Sequence, residues 1–101
     1  MVAGLSIESQ WEELVGVLRE TRVFIAREDA DFSWSGWEGQ TEALSDLDAI
    51  IDLARHRNLD VSAMSYFYAP TGRLQEVSLS SGWADEFLAL ADRFDVASSG
   101  L

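Results

Sequence analysis

Three apolar stripes at helical spacing constrain this chain most. The first joins Ile7, Trp11, Leu14, Val15 and Leu18; the second Leu44, Leu47, Ile50, Ile51 and Ala54; the third Phe87, Leu90, Ala91 and Phe94. Residues three and four apart share one face of an α-helix, so each stripe needs an apolar cover. The chain has 101 residues and no cysteine, so disulfides cannot substitute for that cover. One hydrophobic core follows, and residues 1–101 read as a single globular domain with no repeat, low-complexity tract or linker.

The stripes predict a helix over 7–27, a second over 41–57 and a third after residue 81. Ile25 prolongs the first stripe, although Val23 and Phe24 also suit a strand. Ser9 and Glu12 have the spacing of a capping box, and Asn58 is the natural stop for the second helix. Ser81 is placed to cap the last helix, with Asp85 and Glu86 near its start and Arg93 near its end, all favourable to the helix dipole.

The intervening segments read differently. In "DFSWSGWEG" (31–39), Phe32 and Trp34 alternate with Ser33 and Ser35, which is strand periodicity. A bulge at Gly36 would return Trp37 to the same face. "VSAMSYFYA" (61–69) carries apolar or aromatic residues on both faces, as a central strand does. "PTG" (70–72) has turn chemistry. "RLQEVSLS" (73–80) alternates Val77 and Leu79 with Glu76 and Ser78, which makes it the partner strand of a hairpin. The expected architecture is α+β in the order α-β-α-β-β-α, a three-stranded sheet packed against helices.

Charge narrows the function. Eighteen acids face seven arginines and no lysine, a net charge of −11. That excess speaks against nucleic acid, whose phosphates recruit basic side chains. No apolar run reaches the ~20 residues of a membrane span, and the N-terminus lacks secretory-signal character, so a cytoplasmic location is expected. Between Arg27 and Arg55 there is no basic residue, while that interval holds Glu28, Asp29, Asp31, Glu38, Glu42, Asp46, Asp48 and Asp52.

Catalytic chemistry finds little support. His56, the one histidine, sits at a helix end where Asp52 can pair with it, and no serine lies in a G-x-S-x-G elbow. "DADFSW" imitates the start of a calcium loop through Asp29, Asp31 and Ser33, yet Trp34 and Gln40 occupy the positions that require Gly and Glu. The pairs Glu42/Asp46 and Asp48/Asp52 have the spacing of solvated helix surface. No cofactor, metal or catalytic residue is therefore expected.

The remaining expectation is a small, non-catalytic binding protein. In size and charge class the chain resembles bacterial immunity proteins and antitoxins, a likeness carried by no motif. It implies a basic protein partner, such as a toxin, steered by the acids and docked around an aromatic anchor. The expected partner-binding residues are Glu28, Asp29, Asp31, Trp37, Glu38, Asp48 and Asp52. The alternative is a homodimer built on the aromatic edge, with the acids serving solubility, so the chain is expected to be either monomer or homodimer.

Overall fold

The computed structural model describes residues 6–33, 36–68 and 72–101, with the side chains of 63–66 set aside. Helix α1 spans Ile7–Ile25 and buries Leu14, Val17, Leu18, Thr21 and Ile25, the three- and four-residue spacing of one helix face. It starts on Ser6, whose hydroxyl accepts a hydrogen bond from the Ser9 backbone N–H at 3.1 Å. The cap thus lies three residues before Ser9, the residue its spacing to Glu12 had suggested.

Helix α2 spans Gln40–Arg55 and buries Ala43, Leu47, Ile51 and Ala54. Its end has the two bonds of a Schellman motif: the Arg57 N–H donates to the Ala54 carbonyl at 3.0 Å and the Asn58 N–H to that of Leu53 at 2.9 Å. The left-handed residue is Arg57, at φ 58°, and not Asn58. A side chain there costs on the order of 1 kcal/mol relative to glycine.

A short helical turn, α3 (Val61–Met64), and a 3₁₀ turn (Ser65–Tyr68) lead to α4 (Arg73–Ser81) and α5 (Ala84–Ser98). Helix α1 packs on α2 and α5, and α4 packs on α5 and on the 3₁₀ turn. The protein is a compact four-helix bundle of α1, α2, α4 and α5, and the described residues contain no strand. This overturns the α+β expectation and its three-stranded sheet.

The segments expected as strands take helical, turn and loop conformations where they are described. The segment 73–80 is helical because Leu74, Val77 and Ser78 are the residues it buries, at helical spacing, while Leu79 is 59% exposed. Gly82, at φ 85°, then provides the left-handed stop, with the Trp83 N–H reaching back to the Ser78 carbonyl at 2.9 Å. Ser81 accordingly ends α4 and does not cap α5. In 61–68 the aromatic run coils into single turns that drive Phe67 and Tyr68 into the core. Around Trp37 the chain is a loop; Trp34 and Pro70–Thr71 lie outside the described residues.

Aromatic rings fill the centre. Tyr68 stacks on Phe94 with centroids 4.5 Å apart, and Trp83 stacks on Phe24 at 4.8 Å. The Tyr68 hydroxyl meets the Thr21 hydroxyl at 2.7 Å, and Thr21 donates its own proton to the Val17 carbonyl at 2.9 Å. Burial pushes the Tyr68 hydroxyl pKa up to about 12. Leu47, Val77 and Phe87 share this core.

Candidate docking face

The acidic interval begins where α1 ends. Gln40, the first residue of α2, donates through Nε2 to the carbonyls of Ile25 at 3.1 Å and Arg27 at 2.9 Å. That clamp satisfies carbonyls left free by the end of α1 and ties the two helices together across the loop. Asp31 fixes the loop from the other side. Its N–H donates to the Ser81 hydroxyl at 2.7 Å, and its carboxylate accepts from the Ser33 N–H at 2.9 Å. Hydrogen bonds from Ser33 hold the Asp31 carboxyl below its ordinary range.

Trp37 supports the loop from inside. It is only 4% exposed, packs edge-on against Phe32 and Phe67, and donates its indole N–H to Asp46 Oδ2 at 2.8 Å. The Arg73 guanidinium lies 5.6 Å from the Trp37 ring centroid and 3.9 Å from Asp46. Tryptophan, cation and carboxylate therefore form one linked group. Gly36 beside it takes a φ of +85°, a left-handed conformation that favours glycine, although an added Cβ would make only an ordinary contact, 3.5 Å from Arg73 Nε. An exposed anchor would need the face of the ring that this packing covers.

The structure divides the acids of the interval. Asp29 is paired with Arg27 at 3.2 Å, and Asp48 with Arg22 at 2.6 Å. The Arg22 guanidinium holds the Asp48 carboxyl below the usual carboxylate range, and Asp48 raises Arg22 in turn. Asp52 lies 3.7 Å from the His56 ring, which also contacts the Asp52 carbonyl at 2.8 Å. On α2, Asp48 lies about 200° and Asp52 about 240° around the helix from Asp46, because each helical residue turns the chain by about 100°. Glu42 and Asp46 follow one stripe of α2, with Glu38 in the loop before the helix, while Asp48 lies on the side that Arg22 of α1 reaches.

Four acids remain at the loop end of the bundle. Glu28, Glu38 and Glu42 are exposed, Asp31 is half-buried, and among the described residues none of the four has an arginine within ion-pair distance. No described group of carboxylates or histidine is arranged to hold a metal ion. Family models, curated proteins and solved structures offer no match to this chain. The site must therefore be read from its own chemistry.

Sequence reasoning missed the residues that organise this end. Arg73 lies far in sequence from the acid it meets, Gln40 entered only as the residue that breaks the calcium-loop pattern, and Asp46 only as one of the acids and as half of the solvated Glu42/Asp46 pair. The one available signal was the long arginine-free interval itself. It demanded cations from elsewhere in the chain to balance at least part of it.

Proposed function

We propose that this is a small acidic, non-catalytic binding protein that docks a basic protein partner through the loop end of the bundle, in the manner of an immunity protein or antitoxin-like inhibitor. The observation that carries the reading is the contrast between a fixed frame and uncompensated charge. Gln40, Trp37 and the Asp31–Ser81 bond hold the loop, while Glu28, Asp31, Glu38 and Glu42 face no arginine among the described residues. Hydrogen bonds that already hold the backbone reduce the ordering left to be done when a basic surface meets these carboxylates, and what remains is mainly the cost of the side chains themselves. Asp29, Asp48 and Asp52 add to the long-range field that steers such a partner, although each has a cation or the histidine ring beside it. Trp37 acts as the internal post of the face. No described helix is long and apolar enough to cross a membrane, and a cytoplasmic partner is part of the proposal.

The test is co-purification with the product of the adjacent reading frame, comparing the wild type with a Glu28→Gln, Asp31→Asn, Glu38→Gln, Glu42→Gln variant. A basic partner should bind the wild type with an association rate that falls at least about tenfold between 0.05 and 0.5 M salt. The variant should show the same loss at low salt while melting within a few degrees of the wild type. Association that ignores both salt and these four carboxylates would remove the docking face.

A further inference from the structure

The other end of the α1–α2 seam has opposite character. A groove of about 340 Å³ runs between the two helices there. Trp11, Val15 and Ala54 form its apolar lining, and Arg19, Arg55 and Arg57 stand around it. We propose that this groove binds a small organic anion, a carboxylate carried on an aromatic body.

The arginine pairing supports this assignment. Of the seven arginines, Arg22, Arg27, Arg57, Arg73 and Arg93 each have an acidic partner. Arg19 and Arg55 have none among the described residues, and both line this groove. In a chain with eighteen acids, two unpaired guanidiniums beside the same cavity leave a local positive site with open hydrogen-bond donors. A guanidinium offers a planar fork that matches a carboxylate at two points.

Arg57 adds a second, independent observation. It occupies the left-handed position of the α2 cap, which α4 fills with Gly82. Both helices thus end on a left-handed residue, α4 with the favoured glycine and α2 with a strained arginine. Glu8 pairs with the Arg57 guanidinium and helps fix it at the groove. Strain of this kind persists where a side chain is needed at a particular place.

The lining selects the class of ligand. Trp11 is half-buried, so part of its ring remains open for a planar apolar body. The volume lies at the lower end of small-molecule sites. Glu12 also lines the groove, which leaves a positive excess suited to one carboxylate and not to a polyanion. A second copy of the chain would bring its own −11 charge to the contact, a repulsion that a small anion largely avoids.

The test is an NMR titration with 1-naphthoate, with 1-naphthalenemethanol and inorganic phosphate as separate arms. The Trp11 indole N–H and the Arg19 and Arg55 Nε–H signals should shift saturably with naphthoate. The neutral alcohol and phosphate should each bind at least about tenfold more weakly, since each lacks one half of the recognition. Arg19→Gln/Arg55→Gln should lose at least about tenfold in naphthoate affinity with unchanged melting. Arg57→Gly should melt at or above the wild-type temperature and bind more weakly, which separates binding from folding. Equal binding of the alcohol would reduce the groove to an apolar crevice, and equal binding of phosphate would reduce it to a charge patch. Absence of saturation, undiminished binding by the double variant, or dimerisation through this groove in sedimentation would each overturn the proposal.

Discussion

Two buried tryptophans show how one residue type can hold opposite energetic positions. Trp37 donates its indole N–H to the Asp46 carboxylate at 2.8 Å, whereas the Trp83 N–H is buried without a partner among the described residues. A hydrogen bond to a charged group contributes about 1.5–3 kcal/mol, and an unsatisfied buried donor costs about 1–3 kcal/mol. Replacing either ring by phenylalanine removes similar volume, so the polar difference should decide the outcome. Trp37→Phe should destabilise the protein by at least about 1 kcal/mol more than Trp83→Phe. Urea unfolding of the two variants measures this directly. Equal losses would mean that packing alone sets both positions.

At the scale of elements, the legible parts were those long enough to show a period. The stripes of α1, α2 and α5 run through 19, 16 and 15 residues, and all three were readable as helices. Helix α4 has only nine residues. Over that length Val77 and Leu79 make a convincing strand face, while Leu74, Val77 and Ser78 make an equally convincing helix face. Gly82 was the deciding residue, but next to Ser81 it read as the approach to the following helix. The aromatic content of 61–68 likewise favoured a strand, and tertiary packing of Phe67 and Tyr68 prevailed over propensity. The acidic face was legible as a count and not as an arrangement. Arg22 meets Asp48 across 26 residues of sequence, a distance no local pattern spans.

The same stop glycine gives the element-scale prediction. Gly82 has φ +85°, and an added Cβ would meet nothing within 4 Å. Gly82→Ala therefore introduces backbone strain without a clash and should cost about 1–2 kcal/mol. Chemical denaturation reads that loss, and a change near zero would show that α4 can end without a left-handed residue.

For the whole molecule, charge is the dominant property. The ion pairs involve exposed side chains, such as Arg22 at 39% and Asp48 at 56%, so each contributes little and is weakened by salt. Against them stands an excess of eleven negative charges confined to one small domain. Salt weakens attraction and repulsion together, but the repulsive excess is the larger sum. Raising the ionic strength from about 0.01 to 0.15 M shortens the Debye length from ~30 to ~8 Å. The folded state should gain about 1 kcal/mol, a rise of about 4–8 °C in melting temperature for a domain of this size. A fall over the same range would mean that the Arg22–Asp48, Arg93–Glu20 and Arg57–Glu8 pairs outweigh the repulsion. The rise also protects the interpretation of the docking experiment. Salt that stabilises the fold while releasing a basic partner acts on the interface and not by unfolding the protein.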